Sequence, residues 1–287
     1  MNNGISYRTT NNSTPTLGTC SGVMGNGRTC PSGFIVVPGS PTYGTSDFCT
    51  MKYAASQSSA TVPISLASNT PWVNISQTTA IAYSPNVAGC TGCHLITEPE
   101  WMTIAQNVLS VASNWSGGSV GSGYIYSGHH DNAPANALAA DSNDANGYAG
   151  TGNSSPSNQR RTLTLTNGEV VWDLAGNVWQ WTSGTSTTGQ PGITGEGGYA
   201  YKEWTAVTAI GTLSPSVSPT STGLTGASAW NSSKGIGQLF SFAGESAVRG
   251  FFRGGIWSYG GYAGVLTLNL DNAPSFAYAG FGFRVSR

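Results

Sequence analysis

Charge is scarce in this chain. Lys, Arg, Asp and Glu make up 8% of its 287 residues, about a third of the ~25% usual in soluble domains. The 11 basic and 12 acidic residues nearly cancel. Arg160-Arg161 is the only adjacent basic pair, so the basic stripe that nucleic acid demands is missing and no nucleic-acid partner is expected. No apolar run reaches the ~18 residues of a bilayer-spanning helix, so no membrane insertion is expected. Met1-Asn2-Asn3-Gly4-Ile5 has neither a charged n-region nor an apolar h-region, and no ordinary signal peptide is expected at this end. Histidine is limited to His94, His129 and His130, and no cysteine follows Cys93. No internal repeat of fixed period is evident.

Aromatics, by contrast, are plentiful. The chain holds 9 Trp, 12 Tyr and 9 Phe, ample material for a core and unlike the composition of a disordered segment. Its 40 Gly imply much turn and loop. Five cysteines (Cys20, Cys30, Cys49, Cys90 and Cys93) leave an odd count. Cys90-Thr91-Gly92-Cys93 has the spacing of half a zinc site that Cys20 and Cys30 could complete, but structural zinc sites more often show two short-spaced pairs. Disulfides, Cys20–Cys30 among them, or buried thiols are the preferred reading, and no metal or other cofactor is expected.

Residues 1–30 are polar and irregular and read as an arm, with one domain over 31–287. Phe34-Ile35-Val36-Val37 follows turn chemistry and reads as a strand, and Phe48–Tyr53 alternates like a half-buried one. Thr97 is a helix N-cap candidate, Pro99 suits the first turn, and Glu100 completes a capping box. Trp101, Ile104, Ala105, Val108, Leu109 and Ala112 then keep helical spacing, predicting a helix over 99–113. Residues 116–157 read as a long loop. Arg161–Thr166 and Glu169–Leu174 read as strands joined at Asn167-Gly168, a strong hairpin signal. Residues 183–235 are again irregular, although Tyr199, Tyr201, Trp204 and Trp230 imply that parts pack down.

The last thirty-four residues are compositionally distinct. Gly254–Arg287 contains no Lys, Glu, Gln or Met, whereas the rest of the chain holds 3, 6, 7 and 4 of these, a density that would place two or three in a segment of this length. Within it, Tyr, Phe, Ser, Gly and Ala cluster as they do in binding loops, where Tyr supplies rigid contact area and small residues supply adaptability.

Three motifs occur in order: Gly176-Asn177-Val178-Trp179-x-Trp181, Arg253-Gly254-Gly255-x-Trp257, and Gly282-Phe283-Arg284-Val285. With Leu95-Ile96-Thr97-x-x-Glu100-Trp101 upstream, they resemble formylglycine-generating-enzyme-like proteins over roughly residues 31–287. The resemblance implies an α+β, C-type lectin-like fold, loop-rich, with short antiparallel strands and few helices. It also implies that Trp179, Trp181, Trp257 and Phe283 are core. The oxidases of that superfamily carry copper on a C-terminal cysteine pair, which this chain lacks. Its iron-dependent sulfoxide synthases need a histidine cluster, for which His94, His129 and His130 are a poor set. Asp131 beside His130 reads as part of a solvated loop. Structural calcium near the Asn177 motif is not expected, because Gln180 stands where a carboxylate would favour it.

Among these relatives the chain resembles most the variable proteins of diversity-generating retroelements, whose C-terminal segments are mutagenised at adenines. The shared fixed parts are Arg253-Gly254-Gly255-x-Trp257, Ala263-Gly264-Val265, Leu268-x-Leu270, Ala273-Pro274-Ser275 and Gly282-Phe283-Arg284. Adenine mutagenesis of Asn codons cannot produce Lys, Glu, Gln, Met or Trp, which fits the composition above. The resemblance assigns as variable, ligand-binding positions Ile256, Ser258, Tyr259, Gly261, Tyr262, Phe276, Ala277, Tyr278, Ala279, Gly280 and Phe281, with Thr267, Asn269 and Asp271 as weaker members. Tyr259, Tyr262 and Tyr278 are expected exposed, and Phe281 is open to a core reading. The implied function is non-catalytic binding of a protein or glycan on another cell or particle surface, from a cell-surface, extracellular or virion location. A metal-dependent oxidase or sulfoxide synthase of the same fold, and a self-assembling surface or virion protein, are the alternatives.

Overall fold

The computed structural model describes residues 29–67, 69–131, 159–186, 189–209 and 230–287. The expected arm, apart from residues 29–30, lies outside them, as do 132–158 and 210–229, which fall in the two long irregular stretches.

One sheet joins the two ends of the described chain. It contains β1 (Phe34–Val37), β2 (Phe48–Met51), β5 (His94–Leu95) and β14 (Val285–Ser286), in the order β1-β2-β14-β5. Cys49 and Arg287 exchange backbone hydrogen bonds of 3.0 and 2.8 Å, so the final strand is clamped beside β2. All four residues of β2 are buried, not the half-buried alternation expected, because this strand is covered on both faces. The chain before β1 folds back so that Cys30 bonds Cys49, with the Cα atoms 5.5 Å apart, and not Cys20. Spacing alone cannot give connectivity. Cys90 and Cys93, the pair with the spacing of half a zinc site, are bonded to each other, in line with the preferred disulfide reading.

A second, six-stranded sheet carries the functional face. Its strands are β8 (Trp179–Ser186), β9 (Ala200–Lys202), β10 (Leu239–Ser241), β11 (Arg249–Gly254), β12 (Gly264–Asn269) and β13 (Phe281–Phe283), ordered β13-β8-β11-β12-β10-β9. Most pairs are antiparallel, but β13 runs parallel to β8 and β10 parallel to β12, so the sheet is mixed. Two hairpins complete the strands: β3 (Ser56–Ser59) with β4 (Val62–Ile64), and β6 (Thr162–Thr164) with β7 (Val170–Trp172). The second turns at Asn167-Gly168 as expected. Its loop has three residues instead of two, since the Leu165 N–H donates to Glu169 O at 2.8 Å and Gly168 takes the left-handed conformation at φ 88°.

Two α-helices are present among the described residues. The unexpected one, α1 (Gln77–Tyr83), is short and capped by the Ser76 side chain, which accepts from the Thr79 N–H. The expected one, α2 (Glu98–Leu109), has both arms of the capping box: the Glu100 N–H donates to Thr97 Oγ1 at 3.3 Å, and the Thr97 N–H donates to Glu100 Oε2 at 2.8 Å. It stops before 113: the Ser110 hydroxyl takes up Gln106 O at 2.8 Å, and the Val111 N–H reaches only three residues back, to Val108 O at 3.3 Å. Ala112–Asn114 continue as a 3-10 turn.

The core forms two clusters. One packs the buried face of α2 against Trp115, Trp204, Leu266 and Leu268. The other gathers Trp179, Trp181, Phe252, Phe281 and Phe283. Buried indoles need acceptors, and Trp101, Trp181 and Trp204 donate to Val265 O, Ile75 O and Leu266 O at 2.8, 2.9 and 3.1 Å.

Two buried arginines explain two of the motifs. Arg253, in β11, donates through Nε and Nη2 to Glu98 Oε2 at 2.8 and 2.5 Å, tying the sheet to the first turn of α2. Arg284, between β13 and β14, donates to Gln180 Oε1 at 3.0 Å, to Met51 O at 2.5 Å and to Trp172 O at 2.7 Å. It thus links segments from both sheets and the hairpin, and burial draws its pKa down to about 10 against the opposing charge of Asp173.

Candidate functional site

The chain leaves β11 through Gly254 and Gly255, at φ 90° and 86°. A Cβ at Gly255 would lie 2.6 Å from the Ala263 Cα, so only glycine lets the two ends of the next loop close together. That loop, 256–263, contains a 3-10 turn at Gly260–Tyr262 and returns into β12. The following segment, 270–280, crosses from β12 past β11 and β8 to reach β13. The two connections face each other across a cavity of about 430 Å³.

Ten of the fourteen positions expected to vary line this cavity. From the first loop come Ile256, Ser258 and Tyr259; from the end of β12 and just beyond it, Asn269 and Asp271; from the crossing segment, Phe276, Tyr278, Ala279, Gly280 and Phe281. Tyr278 is 59% exposed, and Phe276 and Ala279 are exposed as well. Tyr259 is half-buried, not fully exposed, because its ring packs edge-on to Trp179 at 5.3 Å. Ile256, Asn269, Gly280 and Phe281 are buried, so their atoms form the floor. The core reading of Phe281 is the one its packing supports, with Phe252 and Trp181 at 4.7 and 5.1 Å.

Four expected positions lie off the cavity. Gly261 and Ala277 are exposed at the loop tips. Tyr262 is 45% exposed and stacks on Tyr201 of β9, with centroids 4.1 Å apart. Thr267 points inward: it is fully buried and its hydroxyl donates to Tyr262 O at 2.5 Å.

Sequence reasoning missed four residues of the lining: Trp179, Phe252, Trp257 and Asn272. Trp257 was expected in the core but is half-buried and stacks on His129 at 6.2 Å. Asn272 could have been noticed as the neighbour of Asp271, whose carboxylate accepts from its side-chain amide at 2.6 Å. Burial pushes the Asp271 carboxyl above its ordinary value, with the charge of Arg249 opposing.

The histidines are not on a solvated loop. His129 and His130 are buried, and His129 Nε2 meets Asp131 Oδ1 at 2.9 Å, with Gln159 also bound to Asp131 at 3.0 Å. His94 pairs with Glu100, at 3.0 Å. The only adjacent basic pair is also engaged: Arg161 is bonded to Asp173 and lies over Trp172, while Arg160 lies over Tyr126.

The sequence pattern of the sulfatase-modifying factor enzyme 1-like domain family matches residues 45–287. The chain belongs to this family. Among solved structures, this family member is similar to the Major Tropism Determinant I1 variant, at 14% identity over 90% of this chain and 52% of that one, TM-score 0.34. It is similar also to PvdO from Pseudomonas aeruginosa, at 14% identity over 90% and 92%, TM-score 0.34. A third likeness is to Treponema denticola variable protein 1, at 14% identity over 90% and 99%, TM-score 0.32. The chain spans about half the length of the Major Tropism Determinant. No curated protein matches it.

The formylglycine-generating-enzyme-like domain of this chain does not fit the family's thiolate copper chemistry. No cysteine follows Cys93, and Cys90 and Cys93 are bonded to each other. Nor does the Asn177 motif fit calcium. Gln180 is occupied at both ends, donating to Asp173 O at 2.7 Å and accepting from Arg284. Asn177 itself takes the left-handed conformation, at φ 65°, and serves as a turn residue whose carbonyl accepts the Trp257 N–H at 3.1 Å.

Proposed function

We propose that this chain is a non-catalytic ligand-binding protein of the kind diversified by a retroelement. Residues 31–287 act as one C-type lectin-like domain, with 1–30 as an arm and 254–287 as the variable segment. The observation that carries this reading is the convergence of ten candidate variable positions, drawn from three separate stretches, on one cavity. Fixed residues within and beside that segment do the opposite: Phe283, Arg284 and the preceding Arg253 are fully buried in the framework. The cavity has the size and aromatic lining of a binding site, and exposed aromatic patches mark interaction surfaces. The partner is a protein or glycan on another cell or particle surface, met from a cell surface, the extracellular space or a virion. The two disulfides support an oxidising location.

Sequencing of the gene's neighbourhood tests this directly. A near-copy of the codons for 254–287 beside a reverse transcriptase is expected, differing mainly at adenines and mainly at the cavity positions. Absence of such a copy, or differences spread over Gly254, Phe283 and Arg284, would refute it and return the oxidase and self-assembly readings.

A further inference from the structure

The cavity has a chemical bias that its role as a binding face does not require. Seven of its lining side chains are aromatic, one is a carboxylate, and none is Lys, Arg or His. The carboxylate, Asp271, is held in place by its neighbours: Asn272 donates to its Oδ1 at 2.6 Å, and Asn269 Oδ1 accepts its backbone N–H at 3.0 Å. Both amide side chains of the lining are thus partly committed to Asp271. Arg249, the cation whose charge reaches Asp271, is itself bound to Glu245 through Nε and Nη2 at 3.0 and 2.8 Å. A half-buried carboxylate in a cavity lined by aromatic rings gains most from a guest cation. The ring faces attract positive charge, and both terms strengthen as water is displaced.

We propose that this cavity accepts one cationic group, the ammonium or guanidinium of a Lys or Arg side chain presented by a protein partner, with Asp271 as counter-ion and Trp257, Tyr259 and Tyr278 among its walls. The inference rests on the binding role proposed above and names the chemistry of the ligand. A volume of about 430 Å³ suits a side chain or two, not a larger element. Asp271 sets charge preference, and the exposed rings of Phe276 and Tyr278 supply contact area around it.

The test uses the full chain and three probes followed by NMR: Nα-acetyl-lysine amide, Nα-acetyl-norleucine amide, and methyl β-galactoside. The first two differ chiefly in the ammonium group. The lysine probe is expected to saturate in the millimolar range and to bind on the order of tenfold more tightly than norleucine. Asp271→Asn is expected to remove that preference with the melting temperature unchanged. Asp271→Ser serves the same purpose if the first variant does not fold. Equal binding of the lysine and norleucine probes, stronger binding of the galactoside, or no saturation by the lysine probe at about 100 mM would overturn the proposal. Any of these results leaves the retroelement reading standing if the template copy is found, so the two failures are distinguishable.

Discussion

Phe281 and Tyr278 lie three residues apart in the same segment, and both are assigned as variable, yet truncation should separate them sharply. Phe281 is 5% exposed and packs on Phe252, Trp181 and Phe276 at 4.7, 5.1 and 5.4 Å. Removing such a ring loses its transfer energy and leaves a cavity that cannot collapse between strands, about 3–5 kcal/mol. In a domain of this size each kcal/mol moves the melting temperature by about 2–4 °C, so Phe281→Ala should lower it by roughly 6–20 °C. Tyr278 is 59% exposed, and Phe276 at 6.4 Å is its ring neighbour. Its backbone carbonyl accepts the N–H groups of Asn74 and Phe281 at 3.1 and 3.0 Å, bonds that substitution leaves in place. Tyr278→Ala should therefore stay within about 0.5 kcal/mol of the parent, or roughly 2 °C. Thermal unfolding of the two variants under identical conditions makes the comparison. A fall of less than about 2 °C for Phe281→Ala, or more than about 5 °C for Tyr278→Ala, would show that the division between floor and rim is wrong. If it holds, diversification at 281 is restricted to apolar residues of similar size, while 278 is free.

Three further outcomes follow from the framework. Glu98→Gln removes the carboxylate bonded to the buried Arg253 and should cost about 3–5 kcal/mol by denaturant unfolding, whereas the double variant Glu98→Met, Arg253→Met should recover much of it. The His94 pKa is raised chiefly by its hydrogen bond to Glu100, so the pair stabilises fully below the ordinary 6.5 and less as pH rises through the higher folded value. A stability profile between about pH 5 and 9 should lose that slope in His94→Gln. The Cys30–Cys49 bond closes a loop with a sequence separation of 19, so Cys49→Ala should cost about 3 kcal/mol relative to the oxidised parent, read as a lower denaturation midpoint.

The sequence exposes those features whose cause is local. The Thr97 to Glu100 capping box is a four-residue device, and α2 begins where it predicts. Asn167-Gly168 sets its own turn. Features that depend on distant chain were hidden. The resemblance assigns Thr267 and Asn269, which alternate with leucines, to the variable set, but all six residues of β12 are buried. Gly237 closes over the second face: a Cβ built on it would reach to 1.8 Å from Thr267 Oγ1. Cys49 became the partner of Cys30 only through the fold of β1 on β2. His130 and Asp131, polar neighbours in a Ser- and Gly-rich stretch, gave no sign that Gln159, from beyond the 132–158 segment, would meet them. Within 254–287 the segment itself was legible by composition and motif. Which of its side chains form floor, wall or rim was not, because that depends on rings from β8, β9 and β11.

A surface can vary its side chains and keep its shape only if something else holds the loops, and here backbone bonds to fixed segments do so. The Trp257 N–H donates to Asn177 O at 3.1 Å and the Gly260 N–H to His130 O at 2.9 Å, which anchors the first loop to residues outside 254–287. The second is anchored by Gly250 N–H to Asn272 O, Thr78 N–H to Pro274 O and Asn74 N–H to Tyr278 O, at 2.9, 3.2 and 3.1 Å. Main-chain groups are the same whatever residue the position carries, so these bonds survive replacement of the side chains they position. Loops ordered in this way lose less entropy on meeting a ligand, which lets modest side-chain contacts register as affinity. Amide hydrogen exchange reads these anchors directly. Protection at Trp257 and Gly260 should persist in Ser258→Ala and Tyr278→Ala, alone and combined, and should fall when the anchor is disturbed by His129→Ala. If exchange at both amides accelerates in the surface variants instead, the variable side chains themselves order the loops, and the framework does not.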